Sequence, residues 1–381
     1  MQYRRLPNTD ITLSAVTLGC MTFTGDSNWG PQEEKDSIAT VRAALDAGIT
    51  SFDTAEMYAD GLTEIILGKA LGADRSRVVI ASKVNKEHLR RGDLIAACEN
   101  SLRRLGTDYI DLYQIHWPNW EIPLEETVGA LLHLKEQGKI RAIGVSNFGV
   151  RDLGDILPFG CVVSNQLAYS LLFRGIEYSL KPKCIESGVG ILTYSSLAQG
   201  LLSGKYASAD DFPTGRARTK LFAAGLRPGV RHGGPGFEEG TFAAIDRIRG
   251  ICREVGQEMA DVALAWSLAQ PGITSVLAGG RTPEQALTNA KGAELTLSPD
   301  VLDALSAATE PVKAFIGDDP DPWSYGRIRG HLPLIPLSLS AFYIDYAKPP
   351  SFFPLFPFCP NAIMQTNSKE VRKWISGEKP P

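Results

Sequence analysis

Eight short apolar runs alternate with stretches of helical periodicity along most of the chain, at residues 17–20, 50–53, 78–83, 110–115, 142–145, 162–166, 190–194 and 274–278. Between them, residues 93–104 place Leu94, Ile95, Ala97, Cys98 and Leu102 on a 3.6-residue period, and the pattern at 124–137 stops at Gly138. Strands that alternate with helices predict a parallel sheet joined by helical crossovers. An open doubly wound sheet is the competing arrangement. No Gly-x-Gly-x-x-Gly follows an expected strand, however, and eight is the number that closes a barrel. The expected fold is therefore an α/β class (β/α)8 TIM barrel. Residues 3–16, with Pro7-Asn8-Thr9-Asp10 at their centre, are expected to form an N-terminal β-hairpin that plugs its base.

Four chemically distinct side chains stand at or just past the ends of these runs: Asp53, Tyr58, Lys83 and His116. Each has a plain explanation by itself. Asp53-Thr54-Ala55-Glu56 reads as a helix-capping box, Tyr58 as a loop residue, Lys83 as a charge reaching water and His116 as a satisfied core histidine. In a parallel barrel the C-terminal strand ends converge on one pocket, so a carboxylate, phenol, ammonium and imidazole are expected to meet there and form a proton-donating site.

Composition narrows the alternatives. With 381 residues, 44% of them hydrophobic, the chain can bury one barrel core, and a net charge of −4 supplies no basic footprint for nucleic acid or an acidic membrane face. The six cysteines show neither Cys-x-x-Cys nor metal-ligand spacing, so free thiols, no metal and a reducing cytoplasm are expected. No apolar stretch reaches the ~18 residues of a membrane span, and Met1-Gln2-Tyr3-Arg4-Arg5 is followed by polar residues and not by an apolar run, so neither export nor membrane spanning is expected. Residues 205–240, after the seventh barrel strand, are rich in Gly, Pro, Arg and Asp without periodicity and are expected to be a long lid or binding loop. The barrel is expected over 1–330, followed by an irregular proline- and aromatic-rich tail at 331–381.

The motifs resemble those of the aldo-keto reductases, in the long-loop branch that includes potassium-channel β subunits. Phe52-Asp53-Thr54-Ala55, Ala81-Ser82-Lys83, Gln114-Ile115-His116-Trp117-Pro118, Gly144-Val145-Ser146-Asn147-Phe148, Gly200-Leu201-Leu202 and Arg281-Thr282-Pro283-Glu284-Gln285 occur in the family's order. The resemblance covers about residues 3–329. It implies an NADPH-dependent oxidoreductase that reduces a small aldehyde or ketone, with Tyr58 as general acid, Lys83 easing formation of its phenolate, Asp53 aiming Lys83, and His116 donating to the substrate oxygen.

For the cofactor, NADP(H), the resemblance implies Ser146, Asn147 and Gln166 on the nicotinamide carboxamide and Tyr194 stacked on its ring. Ser195, Leu197, Gln199, Leu201 and Lys205 follow along the pyrophosphate, and Gly279, Arg281, Gln285 and Asn289 lie at the adenosine end. A guanidinium beside a helix start makes Arg281 the expected ligand of the 2′-phosphate. Phe23, Trp29 and Trp117, with Trp120, are expected to build an apolar substrate mouth. The chain departs from the pattern at Ser196 and Ala198, where Pro and Gly are commoner, at Ala59, and at Gly279-Gly280 in place of Lys-Ser. A non-catalytic NADP(H)-binding regulatory subunit is the alternative, and an unrelated lyase or hydrolase has no use for Arg281 and Gln285.

Overall fold

The computed structural model describes residues 1–324 and 327–329. The expected tail at 331–381 lies outside the described residues. The chain opens with β1 (Tyr3–Arg5) and β2 (Thr12–Ser14), followed by β3 (Val16–Gly19), α1 (Glu34–Asp46), β4 (Ser51–Asp53) and α2 (Leu62–Leu71). Next come β5 (Val79–Val84), α3 (Arg91–Leu105), β6 (Ile110–Ile115), α4 (Leu124–Glu136), β7 (Ile140–Ser146) and α5 (Val150–Ile156). The last part comprises β8 (Val162–Ala168), α6 (Leu180–Glu186), β9 (Gly190–Tyr194), α7 (Glu238–Val255), α8 (Met259–Ala269), β10 (Ile273–Gly279), α9 (Pro283–Gly292) and α10 (Pro299–Ile316).

Strands β3 to β10 close into one parallel barrel, with β10 pairing β3 on one side and β9 on the other. All eight expected strands are present, with ends shifted by two residues or fewer. The helices follow their apolar stripes. In α3 the buried residues are Leu94, Ala97, Cys98, Ser101, Leu102 and Leu105, three or four apart, and the helix stops at Gly106, whose φ of 64° suits a residue without a Cβ.

β1 and β2 form the expected antiparallel hairpin. Its Leu6, Ile11 and Leu13 share a small buried cluster with Ala81, Leu112, Ala142, Leu192 and Leu277 from the barrel strands, which closes the floor with apolar side chains. The larger core lies between the strands and the surrounding helices. Side chains alternate in a strand, so Lys83, Gln114 and Gly144 point inward one layer above Ala81, Leu112 and Ala142. The interior thus changes from apolar at the hairpin to polar towards the strand C-termini. A Cβ on Gly144 would lie 2.6 Å from Ser164 Oγ and 2.9 Å from Gln114 Cγ, so glycine here is what lets those polar groups fit.

The irregular segment after β9 contains a short 3-10 stretch, Ala198–Ser203, and ends at Phe237, short of Gly240, because α7 already begins at Glu238. Asp53-Thr54-Ala55-Glu56 caps nothing: Asp53 ends β4, and α2 starts only at Leu62. Among the described residues no helix is long and apolar enough to cross a membrane, and no group of three His, Cys, Asp or Glu side chains is placed to hold a metal ion.

Candidate active site

The four strand-end residues meet at the polar end of the barrel. Lys83 Nζ donates to Asp53 Oδ1 at 2.5 Å, to the Thr54 carbonyl at 2.9 Å and to Tyr58 Oη at 3.2 Å. An ammonium has three N–H donors, and all three are engaged, so its direction is set. The Tyr58 and His116 rings meet edge-on with centroids 5.7 Å apart. Asp53, Lys83 and His116 are buried, whereas Tyr58 keeps part of its surface open at the mouth.

Electrostatics assign the protons. Burial works against the Lys83 charge, but Asp53 and Tyr58 outweigh it, and the ammonium titrates above the ordinary lysine value. Burial likewise lifts the Tyr58 phenol above its usual range, and nearby Lys83 offsets only part of this. From the sequence, Lys83 is expected to make the phenolate easier to form. Its pull is present, but the net shift is upward, which keeps Tyr58 protonated at neutral pH. Burial, and then Lys83, holds His116 well below the usual histidine value, so its imidazole is neutral. His116 Nδ1 is buried and has no hydrogen-bond partner among the described residues.

That depression has a consequence for stability. Below the ordinary histidine value the unfolded chain takes up a proton that the folded chain refuses, so stability is fully present above pH ~6.5 and falls as pH drops, by about 1.4 kcal/mol per pH unit within the window. Comparing unfolding midpoints of the unmodified protein and His116→Gln from pH 8 to 5 should show a smaller acid loss in the variant. Parallel curves would place the histidine in water.

Residues expected at the carboxamide do come together. Ser146 Oγ donates to the Gln166 carbonyl at 3.0 Å, and Asn147 Nδ2 donates to the His116 carbonyl at 3.0 Å. Asn147 adopts a left-handed backbone, φ 62°, and Tyr194 Oη donates to its Oδ1 at 2.8 Å. The Gln166 amide is turned so that Nε2 donates to Asp53 Oδ2 at 2.8 Å.

Past β9, Ser195, Ala198 and Gln199 all have left-handed φ, at 55°, 47° and 54°. Gln199 Nε2 donates to Ser195 Oγ at 2.7 Å, while Leu197 packs against the main core and Leu201 is buried within it. The Leu201 side chain is therefore packing, not lining. Lys205 is exposed. At the other end, Arg281 Nε donates to Gln32 Oε1 at 3.0 Å and its Nη2 to the Gly30 and Pro31 carbonyls, which tethers the segment before α1. Gln285 Oε1 accepts from the Arg281 backbone N–H at 2.9 Å, and Asn289 Nδ2 donates to the Gly279 carbonyl at 3.1 Å. Part of the hydrogen-bonding capacity of each is thus spent on shaping the start of α9.

The expected aromatic mouth is only partly realised. Phe23 is 1% exposed in the main core and offers no surface to a substrate. Trp117 lies under the Arg327 guanidinium, 4.2 Å from its ring centroid, and Trp120 is half-exposed. Trp29 is half-buried with an unpartnered Nε1, as is Nε of Arg218 among the described residues. Gln114, not among the residues expected at the site, places its Nε2 3.4 Å from Asp53 Oδ2. Its position two residues before His116, on the inward period of β6, was the available signal.

A family model, the Aldo/keto reductase family, matches residues 15–310. The chain belongs to this family. Aldo-keto reductase YhdN of Bacillus subtilis is 35% identical to it over 300 residues, covering 75% of this chain and 86% of the relative. The NADH-specific methylglyoxal reductase of Escherichia coli is 33% identical over 77% of this chain and 94% of its own. The crystal structure of an aldo-keto reductase from Klebsiella pneumoniae in complex with NADPH superposes with a TM-score of 0.65 at 30% identity, covering 86% of this chain and 98% of that one. As a family member the protein is an oxidoreductase of carbonyl compounds.

Proposed function

We propose that the protein reduces aldehydes or ketones to alcohols with NADPH, using Tyr58 as the proton donor. The observation that carries this reading is the Lys83 ammonium, bonded at once to Asp53, to the Thr54 carbonyl and to Tyr58 Oη. When bound, NADPH supplies the hydride for the carbonyl carbon. The oxygen left behind needs a proton, and Tyr58 holds one at the mouth of the pocket. Neutral His116 donates to the carbonyl oxygen and orients it.

The residues present fit such a cofactor. Gln166 bonds Asp53 through Nε2, which leaves the acceptor Oε1 suited to a carboxamide N–H. The buried, unpartnered donors Trp29 Nε1 and Arg218 Nε suit an acceptor-rich ligand. The N-terminus of α9 with Arg281 suits a phosphate.

Consumption of NADPH and NADH over a panel of aldehydes, ketones, 2-oxoaldehydes and sugars tests the reading. Turnover supports a reductase; tight cofactor binding with no turnover on any carbonyl supports a regulatory NADP(H)-binding subunit instead. The NADH-specific relative makes both cofactors necessary in the panel. Cofactor choice is assigned to Arg281. A charge-assisted guanidinium–phosphate contact contributes about 1.5–3 kcal/mol, so Arg281→Ala should weaken NADPH about ten- to a hundredfold and leave NADH nearly unchanged. Equal weakening of both, by fluorescence titration, would mean that Arg281 acts through its tether to Gly30 and Gln32.

A further inference from the structure

Asp53 has two oxygens with separate duties. Oδ1 faces Lys83, and Oδ2 accepts from Gln166 Nε2 at 2.8 Å, with Gln114 Nε2 more distant at 3.4 Å. Asp53 is 3% exposed, so these amides replace the water that an ionised carboxylate otherwise keeps. Gln166 also holds the neighbouring strand end. Its carbonyl accepts from Ser146 Oγ and from the Asn147 backbone N–H, both at 3.0 Å, at the point where Asn147 turns left-handed. One residue of β8 therefore binds the end of β7 with its backbone and the Asp53–Lys83–Tyr58 chain with its side chain. One Nε2 hydrogen is engaged by Asp53, which fixes the amide plane and with it the direction of Oε1.

We propose that Gln166 is a positioning residue that couples the carboxamide subsite to the proton donor. By fixing Asp53 Oδ2 it keeps Oδ1 on Lys83, and Lys83 on Tyr58. This rests on the reductase reading above and adds a second duty to a residue so far assigned only to the cofactor. Losing the Nε2 donor frees Asp53 Oδ2, so the carboxylate can turn, Oδ1 no longer holds Lys83 in one direction, and the ammonium's third hydrogen bond, to Tyr58, weakens. The titratable groups around this point are Asp53, Tyr58, Lys83, Cys20, His116 and Tyr194.

Gln166→Glu separates the two duties. A glutamate at 166 still presents an oxygen to the carboxamide, but it donates to Asp53 only while protonated. Measured at saturating cofactor, its kcat should be highest at low pH and fall about tenfold as pH rises, through an ionisation that the unmodified protein lacks. The melting temperature should show the same pattern without any turnover: close to the unmodified protein at low pH and progressively lower once two carboxylates face each other. A kcat–pH profile parallel to that of the unmodified protein would overturn the positioning role, and a melting difference independent of pH would overturn the contact itself. Absence of turnover in the unmodified protein would fail the reductase reading instead, and the melting series would then decide this inference alone.

Discussion

Tyr58→Phe should keep cofactor affinity and lose at least ~100-fold in kcat, the lower end for a positioned general acid and equivalent to about 2.7 kcal/mol of barrier. The substitution removes one oxygen. The ring keeps its edge-on contact with His116, and Lys83 keeps two of its three acceptors, so fold and cofactor site have little reason to change. The phenol is the group at the mouth that is both protonated at neutral pH and bonded to a fixed cation. Single-turnover rates with saturating cofactor, beside fluorescence titration of cofactor binding, are the measurement. Near-normal turnover would remove Tyr58 from the reaction, and a parallel loss of cofactor affinity would make it a binding residue.

Lys83→Met should cost activity at least as severely, and stability as well. The ammonium is fully buried against a carboxylate that is itself 4% exposed, and removing one partner of a buried pair leaves an uncompensated charge, typically at a cost of about 3–5 kcal/mol. Gln166 and Gln114 soften that loss without cancelling it, since amide dipoles do not replace a charge. The double variant Lys83→Met/Asp53→Asn discriminates between the two effects. Neutralising Asp53 should recover most of the urea midpoint while turnover stays low, because Tyr58 still lacks its cation. If the double variant regained turnover, Lys83 would be a structural counter-ion and no part of the proton donor.

The fold was legible because its signals are local. Each barrel strand is a run of apolar residues bounded by polar turns, and each helix carries a stripe that must be buried, so period and order alone led to eight strands and their crossovers. The hairpin was legible for the same reason, through Pro7-Asn8-Thr9-Asp10 between two extended segments. The candidate quartet was legible because strand C-termini converge in any such barrel, whatever the sequence between them. Phe23 was misjudged because an aromatic residue just past a strand reads alike whether it turns outward to a mouth or inward to the core. The choice is made by neighbours distant in sequence.

The sequence alone therefore determined the class of fold, the family and the identity of the four groups at the strand ends. These follow from residue types, spacing and order along the chain. Which proton sits where was decided only in three dimensions, since burial opposes Lys83 at Tyr58 and the sum lies upward, a balance that no spacing discloses. The same holds for Gln166 and Gln114. Their amides sit 113 and 61 residues from Asp53 along the chain, and closure of the barrel alone brings them onto its second oxygen. Arg281 shows it again: a guanidinium at a helix start reads as an anion ligand, and only the fold reveals that it also ties down Gly30 and Gln32, 250 residues away in the case of Pro31 between them. Hydrogen bonds of this reach carry no sequence signal, because their geometry is set by the packing of every element in between.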